Sequence, residues 1–172
     1  FDSNGNQSFG DNSKALDNGA FTISAKDNVA ESITITATSG GPKTGASSPI
    51  TINPGAASKL AFTQQPTAVV AGATMNPAVT VKVQDANGNT VTAASGTVTL
   101  ALTTAGGTIL SGGGAATVTS GVATFNSLSV DKTGSYTLTP STTVSGVTTT
   151  PASSSFAVSP GAIASYVVSA TT

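Results

Sequence analysis

Val79-Thr80-Val81-Lys82-Val83-Gln84-Asp85-Ala86-Asn87-Gly88-Asn89 is the stretch from which the fold follows. Valine at every second position places Val79, Val81 and Val83 on one face and Thr80, Lys82 and Gln84 on the other, the period of a half-buried strand. Asp85-Ala86-Asn87-Gly88-Asn89 then ends it with turn chemistry, since Asn-Gly accepts the positive φ of a tight turn and Asp bonds nearby backbone N–H groups. The same grammar recurs outward along the chain. Ser58–Gln64 reads as a strand closed by Gln65-Pro66, and Thr97–Leu102 sets Val98, Leu100 and Leu102 inward. Val122–Val130 carries Phe125, Leu128 and Val130, a spacing that requires a kink to switch the inward parity. Ser135–Thr139 buries Tyr136 and Leu138, and Ser154–Ser159 buries Phe156 and Val158. About seven short strands separated by turns, with no helical period, predict an all-β sandwich of immunoglobulin-like type.

The chain also repeats itself. Pro54-Gly55-Ala56-Ala57-Ser58-Lys59-Leu60 reappears as Pro160-Gly161-Ala162-Ile163-Ala164-Ser165-Tyr166, 106 residues on (54 to 160), about the length of one such sandwich. Upstream of each copy, Asn18–Ile23 matches Ser120–Phe125, Ser32–Thr36 matches Ser135–Thr139, and Pro49–Ile52 matches Ser155–Val158. The expected organisation is therefore tandem. Residues 1–53 form the rear of one module, 54–159 a complete one, and 160–172 a linker with the first strand of a third.

Composition narrows the function. The 172 residues include 0 His and 0 Cys, which removes a His-based triad, a thiol nucleophile, a Cys/His zinc site and any disulfide. Six Lys+Arg against seven Asp+Glu provide no clustered positive charge for phosphates, so nucleic acid is not an expected partner. No apolar run approaches the roughly 18 residues of a membrane-spanning helix, so membrane insertion is not expected either. No signal peptide is visible, and export is an expectation from the module type alone. Lys14, Lys26, Lys43, Lys59, Lys82 and Lys132 fall in turns or on outward faces, and the acids sit mostly in turns. No base is poised to activate a hydroxyl, so the chain is read as non-catalytic.

Two local motifs invite a sharper reading. Alternating Asp and Asn oxygens suit a hard cation, which makes Asp85, Asn87 and Asn89, and the similar Asp2, Asn4 and Asn6, candidate calcium ligands. An EF-hand loop needs further ligands and a closing Glu, whereas turn chemistry accounts for every residue present. Asp131-Lys132-Thr133-Gly134-Ser135-Tyr136 has the form of a tyrosine corner, with Ile33 in the equivalent place upstream. Outward threonine rows, Thr34/Thr36/Thr38 and Thr97/Thr99, could form a flat ligand face or simply a solvated strand surface.

Ser58–Pro66, Ala71-Gly72, Val79–Asn89, and Gly121–Phe125 with Leu128, Asp131, Gly134 and Tyr136 together resemble bacterial immunoglobulin-like repeats. Such modules are strung along invasin- and intimin-type adhesins and giant surface proteins. The resemblance implies a secreted or cell-surface stalk or spacer, with neighbouring immunoglobulin-like modules of the same or adjacent chains as partners, and host-surface or glycan ligands bound elsewhere. Self-assembly into filaments or a surface layer by strand complementation is the alternative, and a glycan- or receptor-binding module a further one.

Overall fold

The computed structural model describes residues 8–9, 15–22, 25–103, 108 and 110–162. Strands and turns make up the fold, with no helix among the described residues. The leading stretch holds β1 (Ser8–Phe9), β2 (Ala25–Lys26), β3 (Ser32–Ile33), β4 (Thr36–Thr38), β5 (Thr44–Ala46) and β6 (Ile50–Thr51). The larger unit holds β7 (Lys59–Gln64), β8 (Val69–Val70), β9 (Val79–Gln84), β10 (Thr97–Leu102), β11 (Leu110–Ser111), β12 (Ala116–Thr117), β13 (Val122–Phe125), β14 (Ser129–Val130), β15 (Gly134–Tyr136), β16 (Leu138–Thr142) and β17 (Phe156–Ser159).

In the larger unit β9 lies between β7 and β13, antiparallel to both. A second layer runs β12–β10–β16 and β15–β17–β8. β15 and β16 are successive halves of one run broken at Thr137, so Tyr136 pairs with Phe156 on one side while Leu138 pairs with Leu102 on the other. One core joins the two layers. Leu60, Val79, Val81, Val83, Ala123 and Phe125 of the first pack with Val98, Leu100, Leu138, Phe156 and Val158 of the second. The arrangement is consistent with a β-sandwich. Each fully buried valine of β9 contributes about 1.5–3 kcal/mol through removal of its side chain from water.

The alternation of β9 and β10 follows the expected faces, and the parity switch falls at Asn126-Ser127, where Ala123 and Phe125 give way to Leu128 and Val130 as the buried set. Two features differ from the sequence reading. β8 is a strand, parallel to β17, although Val69-Val70 is too short to show a period. β16 runs on through Pro140, a residue that ordinarily ends a strand. The N–H of Leu100, opposite Pro140, donates instead to the Gly113 carbonyl at 2.8 Å. The Leu100–Pro140 pair is thus a non-hydrogen-bonded one, and the missing proline N–H breaks no ladder bond between β10 and β16.

The leading stretch shares three local features with the end of the larger unit: a turn, a pairing register and a serine bridge. Asp17 and Ala20 exchange two 2.9 Å backbone bonds around Asn18-Gly19, as Thr119 and Val122 do at 2.9 and 3.0 Å around Ser120-Gly121. The two turns share their geometry, with φ of 50° and 78° in the first and 49° and 77° in the second. Gly121 is obligatory for a second reason, because a Cβ there would lie 2.7 Å from the Val91 carbonyl oxygen. Ile33 pairs with Ile50 and Ser32 with Thr51, the register in which Tyr136 pairs with Phe156 and Ser135 with Ala157. Finally, Ser47 donates its N–H to the Ile35 carbonyl, accepts the Ile35 N–H on its hydroxyl and bonds the Ser48 carbonyl, at 2.8, 3.0 and 2.8 Å. Ser153 makes the same three bonds to Leu138 and Ser154, at 2.8, 2.9 and 2.8 Å.

The Tyr136 hydroxyl donates to the Thr133 carbonyl at 3.1 Å, a corner bond of the expected kind. The same hydroxyl lies 3.3 Å from that of Thr108, so Tyr136→Phe removes two hydrogen bonds and is expected to cost about 1–2 kcal/mol. Urea unfolding checks it through a shifted midpoint at unchanged slope.

Candidate functional site: a junction clasp

The motif that ends β9 lies against the leading stretch. Asp85 is 2% exposed, unusual for a carboxylate in a turn, and every acceptor position of its side chain is used. Its Oδ1 accepts the N–H groups of Asn87 and Asn89, both at 2.9 Å. Its Oδ2 accepts the N–H of Gly55 at 2.8 Å and the Nδ2–H of Asn89 at 2.9 Å. Two of these four donors close the turn, which also carries Asp85 N–H to the Asn89 carbonyl at 3.0 Å. The bond from Gly55 pins the Pro54-Gly55 linker to the turn.

Asn89 continues the connection. Its Nδ2 also donates to the Asn28 carbonyl at 2.8 Å, and its Oδ1 accepts the Ala30 N–H at 3.0 Å. One amide group therefore binds Asp85 on one side and both backbone polarities of the 28–30 loop on the other. Val29, Ala30 and Glu31 are half-buried here. Asp27 Oδ1 accepts the Val29 N–H at 2.8 Å and shapes that loop from within. Nearby, Lys59 Nζ lies 3.4 Å from the Ala86 carbonyl, and Gln84 Nε2 donates to the Gly88 carbonyl at 2.9 Å.

Four donors around one carboxylate favour its charged form. The Asn89 side-chain amide, foremost, with the N–H groups of Gly55, Asn89 and Asn87, outweighs the opposing effect of burial and lowers the Asp85 pKa from 3.8 to about 2. Since the folded value lies below the unfolded one, the unfolded chain takes up the proton more readily. Asp85 therefore stabilises the fold fully above pH 4 or so, and that contribution fades as pH falls through 3.8 toward 2. Melting temperatures followed across this window are expected to fall with acid, and to fall less steeply in Asp85→Asn.

Of the calcium candidates, Asp85, Asn87 and Asn89 lie together, whereas Asp2, Asn4 and Asn6 lie outside the described residues. Asn87 contributes its backbone N–H to the turn rather than a side-chain oxygen. Among the described residues, no three of His, Cys, Asp and Glu gather in one place, so any cation here would rest, beyond Asp85, on Asn and backbone oxygens. The turn predicts that Asn87→Ala changes stability by no more than about 0.5 kcal/mol, with or without calcium; a calcium-dependent loss would instead support the ligand reading.

Other candidate chemistry is dispersed. Ser129 and Lys132 have Ser-x-x-Lys spacing, but Ser129 is in β14 and Lys132 in the turn after it, not one turn apart on a helix. Thr97 and Thr143 share a hydroxyl bond at 3.2 Å, and Thr103 bonds Thr139 and Thr137 at 2.7 and 2.8 Å. Of the named threonine rows, Thr97 is thus engaged across to the neighbouring strand end. The Asp85–Asn89 clasp had no counterpart in the sequence reading beyond a turn, because its partners stand 30, 59 and 61 residues away.

Comparison with protein-family models and with curated proteins finds no match.

Proposed function

We propose that the chain is a non-catalytic segment of an extracellular surface protein, built from tandem immunoglobulin-like modules and acting as a stiff spacer. The observation that carries this reading is the clasp, in which Asp85 and Asn89 bind the linker at Gly55 and the preceding loop at Asn28 and Ala30. A spacer works by resisting bending between units, and bonds from one unit to both the linker and its neighbour provide that resistance. The tandem character is supported by the repeated turn, pairing register and serine bridge of the two stretches. The absence of His and Cys leaves few means of catalysis. Bacterial origin and membership of an adhesin follow from the resemblance to bacterial immunoglobulin-like repeats. Small-angle scattering of the full chain is expected to give an elongated particle that keeps its dimensions from low to moderate salt. A flexible-coil profile between the units contradicts the reading.

A second reading, assembly by strand complementation, is favoured by one observation. Phe21 and Ile50 are 47% and 38% exposed, while their counterparts Ala123 and Phe156 are buried. The leading stretch thus presents an apolar face that the larger unit covers. Sedimentation of the purified chain over a wide concentration range separates the readings, since filament assembly requires growth and a spacer remains monomeric.

A further inference from the structure

The clasp joins the front of the larger unit to the rear of the stretch before it, and the larger unit has a rear of the same construction. The loop that receives Asn89 precedes β3, and its counterpart precedes β15. Register fixes the correspondence. Ser32 and Ile33 stand to Thr51 and Ile50 as Ser135 and Tyr136 stand to Ala157 and Phe156. Counting back from these pairs, the N–H of Thr133 stands where that of Ala30 stands. Four residues (131–134) separate β14 from Ser135 where five (27–31) separate β2 from Ser32, so the counterpart of the Asn28 carbonyl is that of Asp131 or Lys132. Gly161, one residue into the second Pro-Gly linker, takes the place of Gly55.

We propose that the 131–133 loop and the Gly161 N–H form a docking surface for the Asp85–Asn89 turn of a second copy of the larger unit. Three features support this choice of occupant. Val29, Ala30 and Glu31 are half-buried, whereas Asp131, Lys132, Thr133 and Gly134 are exposed. By register, the rear loop carries a C=O and an N–H in the same order as those of Asn28 and Ala30, the acceptor and donor that one Asn amide satisfies. The loop is also pre-shaped, because Tyr136 holds the Thr133 carbonyl through its hydroxyl, a restraint that Ile33 cannot give the earlier loop. The inference rests on the spacer reading and extends it from one junction to a propagating one. The contact is head-to-tail, and because the turn of each separate chain is already held by its own linker and leading stretch, it propagates between units joined in one chain.

A tandem protein tests it, in which residues 1–161 run directly into a second copy of residues 56–162, so that Pro160-Gly161 occupies the place of Pro54-Gly55. The chain has 0 Cys, so pairs of introduced cysteines accept spin labels cleanly. One pair, Lys43→Cys with Thr124→Cys of the first copy, spans the first junction. The other, Ser145→Cys of the first copy with Thr124→Cys of the second, spans the new one. All three positions are exposed. Pulsed dipolar spectroscopy is expected to give narrow distance distributions for both pairs. Asn89→Ala in the second copy alone is expected to broaden the second distribution severalfold and leave the first unchanged, with thermal melts confirming that both copies fold. A broad second distribution beside a narrow first one overturns the inference, as does a narrow one that Asn89→Ala does not move. Broad distributions at both junctions overturn the spacer reading as well.

Discussion

Asp85→Ala is expected to lower the melting temperature of the larger unit and free its junction with the leading stretch in a single substitution. Four donors lose their acceptor: the N–H groups of Gly55, Asn87 and Asn89, and one Nδ2–H of Asn89. Donors at a nearly buried position then have to find water or stay unpaired, and an unpaired polar group costs more than the bond it lost was worth. The loss propagates through Asn89, whose amide is oriented for Asn28 and Ala30 by its bond to Asp85. Asn89→Ala is the informative companion, because it keeps the Asp85 bonds to the Gly55, Asn87 and Asn89 N–H groups and removes, besides the arm toward the leading stretch, a single bond to the carboxylate, that of the Asn89 Nδ2–H. Its melting temperature should therefore lie much closer to that of the unaltered chain while its junction is equally loose. Melting curves paired with proteolysis of the linker check both effects. An Asp85→Ala protein with unaltered melting and an uncleaved linker would contradict the account.

Leu128→Ala is expected to destabilise the larger unit by about 2–5 kcal/mol, the range for deleting a fully buried leucine side chain. Leu128 is fully buried in the common core, and its carbonyl accepts the Met75 N–H at 2.8 Å, so backbone bonding restrains collapse around the cavity. Against the roughly 5–15 kcal/mol of a typical domain, this is a large share. Leu16→Ala, at a side chain 65% exposed, is the control and should change stability by no more than about 0.5 kcal/mol. Chemical denaturation monitored at Tyr136 distinguishes the two. Equal effects of the two substitutions would mean that the core is placed wrongly.

Much of the fold was legible because the strands obey simple periodicity. Val79, Val81 and Val83 alternate without interruption, and all three are fully buried. Even the switch in parity at Asn126-Ser127 followed from the spacing of Phe125, Leu128 and Val130. What escaped had a physical reason. Val69-Val70 is held by parallel pairing with Val158-Ser159, far along the chain, and not by a local pattern. Pro140 is tolerated because the opposing Leu100 N–H points to Gly113, a fact of sheet position rather than of sequence. Met75, Val118 and Val144 enter the core from loops and strand margins, where no period marks them.

The candidate site shows the same division. Asp85-Ala86-Asn87-Gly88-Asn89 was readable as a turn, and its internal bonds are turn bonds. That Asp85 would take the linker N–H, and Asn89 a loop from the preceding stretch, depends on how the units meet. A short polar motif gives no sign of that. Once the first junction is known, the internal repeat makes the second one readable, which is why the 131–133 loop and Gly161 acquire meaning only through Asn28, Ala30 and Gly55.

If the Asp85–Asn89 turn fixes the leading stretch to the larger unit, the distance across their junction has a single value. Spin labels at Lys43→Cys and Thr124→Cys in the otherwise unaltered chain report the distance across that junction by pulsed dipolar spectroscopy. A single narrow distribution is expected, and it broadens on Asn89→Ala. A distribution already broad in the unaltered chain, and the same with Asn89→Ala, would contradict it.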